Sequence, residues 1–327
     1  MEETIGYCLS RSAWSQYKTA WKHLVTFLEY EGYTGGLPVP EELVVKFLLY
    51  LHRSRTLSYS TIKNYMAGLK FIHGLAGSST EAFKSFLVRK MLVAIHNKEL
   101  SLLKEKPPNR CALTFPTLAI FGDELLSSMV YHPWTRLNIW AASLLSYSSG
   151  LRLGDYLPDS HGIDIPKILT WDKFRVIEED HLTFVIILPK NTKAIKKQGD
   201  AKDVTRFPDQ RFCPVSKILK ILAIRLEDPD FDWYEPVFTK SNGRPLYTYD
   251  VNRAMSLILD PIYGDKFSGH SFRSGVTSVM AENYDKFTLD NVKQHGGWRG
   301  DESIKLYSRR AGVGIKATKD LINSLTI

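Results

Sequence analysis

This 327-residue chain is short of several things a sequence can use to announce its class. It has three cysteines, Cys8, Cys111 and Cys213, scattered and odd in number, with no Cys-x-x-Cys pair. That argues against both a disulfide framework and a zinc site. No apolar run approaches the roughly 18 residues a membrane span requires, and Glu2-Glu-Thr-Ile-Gly-Tyr does not read as a signal peptide. The sequence-based expectation is an intracellular protein without a membrane partner. It shows no internal repeat and no low-complexity tract. Nor does it show the cluster of carboxylates that a two-metal nuclease uses, so neither a metal nor a cofactor is expected.

What is present is core material and positive charge. The chain is 44% hydrophobic and 24% charged, the balance of a soluble globular protein with one large domain or two ordinary ones. Its formal net charge is +8. The first 103 residues carry 12 basic and 8 acidic side chains and the remainder 31 and 27, so each part is +4. A polyanion gripped from two sides is compatible with that distribution.

Apolar periodicity divides the chain. Trp14, Tyr17, Trp21, Leu24 and Leu28 form one helical stripe, and a second helix starting at Pro40 runs through Val44, Phe47, Leu48 and Leu51. A third, capped at Ser60, carries Ile62, Tyr65, Met66, Leu69 and Ile72. A fourth, capped at Thr80, runs from Glu81 to about Asn97. Residues 1–103 are therefore expected to be a four-helix domain. Residues 104–116 lose periodicity and hold three prolines, which marks a linker. The rest, 117–327, is predicted to be helical at 122–130, 134–148, 214–226, 248–259 and 271–283. One hairpin is expected, pairing His181–Pro189 with a strand beginning at Val204 across a lysine-rich tip. Further helices should flank Gly296-Gly-Trp. A final amphipathic helix at about 313–327 presents Ile315, Leu321, Ile322 and Leu325. The fold class expected is mainly α with a small antiparallel β-sheet.

A set of chemically matched residues runs through the second part: Arg152, Lys193, His270, Arg273, Trp298 and Tyr307. A phosphodiester resists attack because its anionic oxygens repel a nucleophile, so cationic donors must neutralise them and follow the charge into the transition state. Arginine suits this, since its planar fork binds phosphate oxygens in pairs and stays charged. Histidine and lysine can move the protons, and a tyrosine nucleophile conserves the bond energy in a covalent phosphoester. Each residue alone has a plainer reading. Arg152 could cap a helix or pair with Asp155, Lys193 could be one surface lysine among Lys190, Lys196 and Lys197, and Trp298 or Tyr307 could be core.

Taken in order, the set resembles the tyrosine recombinases, also called the phage-integrase family. Ser148-Ser-Gly-Leu-Arg-Leu-Gly-Asp resembles the family's first arginine box, with Asp155 as its acidic support residue. Ile187-Leu-Pro-Lys-Asn-Thr-Lys resembles the strand and turn bearing the mobile lysine, and His270-Ser-Phe-Arg the central box. Gly297-Trp-Arg with Tyr307, nine residues beyond Trp298, resembles the last box in its Trp variant, a Cre-like layout. His295 stands twelve residues before Tyr307, the wrong spacing for that box, so Trp298 is preferred.

The resemblance covers nearly the whole chain. It implies a helical, SAM-like core-binding domain, a linker and a catalytic domain. By resemblance Tyr307 is the nucleophile giving a 3′-phosphotyrosyl link, and Arg152 and Arg273 clamp the non-bridging oxygens. Lys193 is the general acid, His270 assists as base or phosphate contact, Trp298 donates its indole N–H, and Asp155 orients Arg152. It further implies double-stranded DNA with inverted-repeat sites as partner, and a homo-tetramer acting through a Holliday junction. The C-terminal helix would dock on a neighbour. No arm-binding domain is expected before residue 12, and the layout is similar to mobile-element recombinases of the Crypton and DIRS groups. Two alternatives stay open: a catalytically silent DNA-binding regulator on the same fold, and a type IB topoisomerase-like strand relaxer.

Overall fold

In the computed structural model the described residues are 9, 11–103, 111–158, 168–177, 183–187, 201–264, 267–282, 288, 290, 292 and 295. Lys193, Trp298, Tyr307 and the expected helix at 313–327 lie outside them. The chain divides into two compact units, Met1–Pro107 and Pro108–Ile327.

The first unit is built from α1 (Arg11–Tyr30), α2 (Glu41–Arg53), α3 (Tyr59–Leu75) and α4 (Phe86–Leu103). Each helix contributes one apolar face to a shared core: Leu24 and Phe27 from α1, Phe47, Leu48 and Leu51 from α2, Ile62 and Leu69 from α3, Val88 and Ile95 from α4. The α2 start follows from its sequence, with Pro40 at the N-cap and Glu41 and Glu42 in the first turn. Two predicted caps move. Ser58, not Ser60, caps α3, its Oγ accepting the Thr61 N–H. Thr80 makes no side-chain cap, and residues 81–84 form only a 3₁₀ turn. The helix proper starts after Ser85, whose Oγ accepts the Val88 N–H at 3.2 Å, and it runs on to Leu103 rather than ending near Asn97. Close approach of α1 and α3 depends on Gly68, where a Cβ would lie 2.4 Å from the Tyr17 ring.

The second unit opens earlier than expected. Thr114 Oγ1 accepts the Thr117 N–H, Pro116 sits in the first turn, and α5 spans Phe115–Ser127 instead of 122–130. The prolines of the expected linker thus include one that starts a helix. Helix α6 (Pro133–Ser149) is the centre of this unit, buried from Asn138 through Tyr147. Its interior polar groups find partners: Ser143 Oγ donates to Ile139 O one turn back, and Asn138 Oδ1 accepts the Thr239 N–H at 3.0 Å. Around it pack α5, α7 (Pro214–Leu226), α8 (Thr248–Tyr263) and α9 (Gly269–Glu282).

Between α6 and α7 lies an antiparallel sheet of three strands in the order β1 (Phe174–Ile177), β2 (Thr183–Ile187) and β3 (Ala201–Thr205). Its register pairs Phe174 with Ile186 and Phe184 with Val204. β3 starts three residues before the predicted Val204, because Ala201-Lys-Asp continues the ladder opposite Ile187-Ile-Val. β1, which the sequence reading had not assigned, completes the sheet.

Candidate functional site

Helix α6 ends at Gly150, which takes the left-handed conformation at φ 66° and breaks the helical path. Two residues later Arg152 precedes a 3₁₀ turn, Leu153–Asp155. The turn is closed from both ends. The Asp155 N–H donates to Arg152 O, and Asp155 Oδ2 accepts the Arg152 N–H, both at 2.9 Å. Asp155 is buried and Arg152 half-exposed, and the carboxylate fixes the Arg152 backbone. The sequence had offered an Arg152–Asp155 ion pair as the plain reading of this box. The contact seen here runs through the main chain.

Helix α9 supplies the second arginine. Its N-terminus is held by Asn252 Oδ1 on α8, which accepts the Gly269 N–H at 2.7 Å, and by Leu113, whose N–H donates to Ser271 O. A Cβ on Gly269 would fall 2.6 Å from Leu153 Cδ1, so this glycine brings the α9 start against the Arg152 turn. His270 sits in the first helical turn and is exposed, at the positive end of the helix dipole. Arg273, one turn deeper, is 1% exposed. Its Nη1 donates to Gly150 O at 3.1 Å.

The structure thus brings four of the predicted residues, Arg152, Asp155, His270 and Arg273, into one corner where the end of α6 meets the start of α9. Lys193, Trp298 and Tyr307 are outside the described residues. Two tyrosines close to this corner in sequence are poor rival nucleophiles. Tyr147 and Tyr156 are buried, and burial pushes both phenols well above the usual range. Tyr156 also spends its hydroxyl on Ala142 O. No group of three or more metal-ligating side chains occurs among the described residues, and none of the described helices is long and apolar enough to cross a membrane.

Three participants escaped the sequence reading. Gly150 carries the carbonyl that joins the two arginine boxes, Gly269 permits the close packing, and Asn252 anchors α9. Gly150 was visible inside a quoted motif and Gly269 stands immediately before one; Asn252 has no signal at the level of sequence. His295, set aside on spacing, lies against Gly150: its Cδ2 and carbonyl oxygen are 3.2 and 3.3 Å from where a Gly150 Cβ would stand.

By sequence the chain matches no family profile and no curated protein. By structure it is similar to the Tn1549 transposon integrase in complex with transposon right-end DNA, with a TM-score of 0.54 and 14% identity over 91% of this chain and 92% of the other. It is similar to the XerH site-specific recombinase bound to a palindromic difH substrate, with a TM-score of 0.57 and 16% identity over 88% and 74%. A lambda integrase dimer bound to a core site gives a TM-score of 0.54 and 14% identity over 93% and 73%. With its helical first unit and the two arginine boxes packed together in its second, the chain has the fold of the tyrosine recombinases.

Proposed function

We propose that this protein is a site-specific DNA recombinase that cuts and rejoins strands through a 3′-phosphotyrosyl intermediate. The observation that carries the reading is the Arg273–Gly150 hydrogen bond, which ties together two arginine motifs that chemistry alone had paired. Arg152 and Arg273 bind the non-bridging oxygens of the scissile phosphate. The Tyr307 oxygen attacks phosphorus, the bond to the 5′ oxygen breaks, and Lys193 delivers the proton that makes the departing group a 5′-hydroxyl. His270 accepts the phenolic proton or contacts the phosphate, Trp298 donates its indole N–H, and Asp155 holds the Arg152 backbone. Attack by a 5′-hydroxyl from a second duplex reverses these steps and joins new partners without an external energy source.

The neighbours whose descriptions name bound DNA, including a lambda integrase tetramer on a Holliday junction, support a DNA-associated protein acting at paired sites. On this reading residues 1–103 are the core-binding domain, 104–116 the linker and 117–327 the catalytic domain. The helix at about 313–327 is exchanged between protomers of a homo-tetramer assembled on inverted repeats. Mobile-element integration and excision are the corresponding biological setting.

The test is covalent capture. A library of random-sequence duplexes, each with a nick beside the randomised region, lets the cleaved fragment diffuse away and traps the enzyme on DNA. Adducts with a shared sequence, absent from Tyr307→Phe, support the recombinase. DNA binding without adducts identifies the silent regulator, and plasmid relaxation with no preferred sequence identifies a topoisomerase-like activity.

A further inference from the structure

We propose that His295 is a positioning residue of the same site: its flat ring, laid against Gly150, holds the turn through which Arg152 and Arg273 are joined. The proposal rests on the recombinase reading of that site.

Gly150 is a junction with three neighbours. Its carbonyl receives Arg273 Nη1, its chain runs on directly to Arg152, and its open α-carbon face receives His295. The last contact is intimate. Where any other residue would carry a Cβ, the His295 ring stands at 3.2 Å from Cδ2 and 3.5 Å from Nε2, and the His295 carbonyl stands at 3.3 Å. Two independent features therefore demand glycine here, the left-handed φ of 66° and the ring that fills the vacant side.

The position of His295 in the chain gives the contact its meaning. It is twelve residues before Tyr307 and three before Trp298, so it is too early to occupy the last box itself. It is instead the described residue nearest that box in sequence, and it touches the peptide that connects the arginines. Its ring lies against the Gly150 turn, so on this reading it acts by packing. If the ring is removed, the Gly150 turn loses the contact on its open side, and the two arginines it joins lose a support. Small misplacements of a group that positions the reacting phosphate are costly: about 1 Å can lower a rate by about a hundredfold.

The experiment uses the full chain and a nicked duplex of the sequence captured by the wild-type enzyme. His295→Ala is expected to slow adduct formation at saturating DNA by about tenfold or more. Duplex affinity and thermal midpoint should stay close to wild type, because phosphate contacts elsewhere hold the DNA. His295→Phe keeps a flat ring over Gly150 and is expected to cleave within about threefold of wild type. Should His295→Ala not fold, His295→Leu takes its place, with the same two outcomes. Wild-type cleavage in the Ala or Leu variant overturns the proposal, as does equal loss in Ala and Phe, which would exclude ring packing as the means. A wild-type protein that forms no adduct on any duplex overturns the recombinase reading, which separates the two failures.

Discussion

Arg273 reaches back 123 residues to donate its Nη1 hydrogen to the carbonyl of Gly150, and the donor is almost wholly buried while Arg152, two residues past the acceptor, is half-exposed. The two arginines proposed to share one phosphate are thus held in unlike ways. Arg273 is part of the core wall, committed to a main-chain acceptor. Arg152 is mounted on a capped turn and is only partly buried. A buried guanidinium needs its hydrogen bonds met within the protein, and the end of helix α6 meets one of them.

This asymmetry separates the two alanine variants. Arg152→Ala should lower cleavage by about a hundredfold, the usual effect of deleting a donor that stabilises developing charge, and should leave the melting temperature nearly unchanged. Arg273→Ala should lower cleavage as much and also destabilise the fold by about 2–5 kcal/mol, since it empties a large buried volume and strands a carbonyl. Paired measurement of adduct formation and thermal unfolding checks both. Equal stability losses would mean that the difference in burial carries no energetic weight.

Asp155 gives a second pair of variants. Its carboxylate accepts the Arg152 N–H at 2.9 Å and closes the turn that presents Arg152. Asp155→Ala should cost about 1–2 kcal/mol through the lost cap and the orphaned N–H, and slow cleavage with it. Asp155→Asn keeps an acceptor oxygen and should lose less of both. If Asn and Ala behave alike in adduct assays, the charge of Asp155 matters and its capping role does not.

Much of this corner was legible in the sequence because its chemistry is local and its residue types are rare in that order. Arg152 in Ser-Gly-Leu-Arg and Arg273 in His-Ser-Phe-Arg stand out against any background, and helix faces such as Val44, Phe47, Leu48 and Leu51 follow from the 3.6-residue period. What failed to show were choices between neighbouring options of similar local merit. Thr114 with Pro116 was read as linker since proline usually breaks helices, yet at the first turn its missing N–H costs nothing. Ser58 and Ser60 are equally good caps in isolation, and packing decides between them. β3 begins at Ala201 because its partner strand extends that far, a non-local fact no tract of polar residues reveals. The Gly150–His295 contact joins residues 145 apart and lacks any local signal.

Gly275 and Gly74 make opposite predictions from the same substitution. In helix interiors alanine normally stabilises relative to glycine by about 0.5–1 kcal/mol. Gly74, on α3, has its nearest obstacle 3.9 Å from an added Cβ, so Gly74→Ala should stabilise by up to that amount. Gly275, on α9, would place the Cβ 1.9 Å from Leu113 O and 3.1 Å from the Tyr147 ring. Backbone there cannot swing aside as a flexible side chain can. Gly275→Ala should instead destabilise by about 1–3 kcal/mol or more and loosen the α9 helix that carries His270 and Arg273. Denaturant titration of the two variants reads the sign directly, and a stabilised Gly275→Ala would contradict the close packing of Leu113 on α9.

The first unit carries its own titrating group. His73 is fully buried, with Nδ1 2.8 Å from Leu69 O and Nε2 3.4 Å from the Val39 N–H. A carbonyl can only accept and an amide N–H can only donate, so the ring is neutral with its proton on Nδ1. Protonation would set an N–H against the Val39 N–H inside an apolar core, and burial accordingly pushes the His73 pKa down. The sign follows from linkage. With the folded pKa below the unfolded value of about 6.5, the unfolded chain binds the extra proton as pH falls, so stability is full above that value and is lost progressively beneath it. His23 on α1 is lowered too, first by burial and then by Arg55 and Lys22, and adds to the same trend. Amide exchange of peptides spanning Val39 and α3, corrected for intrinsic rate, should therefore show protection declining from pH 7 to about pH 5 in the wild-type chain. His73→Gln, which can still donate to Leu69 and accept from Val39, should lose most of that decline. A wild-type profile flat across the interval, or a Gln variant with the full slope, would show that His73 does not set the acid sensitivity of this unit.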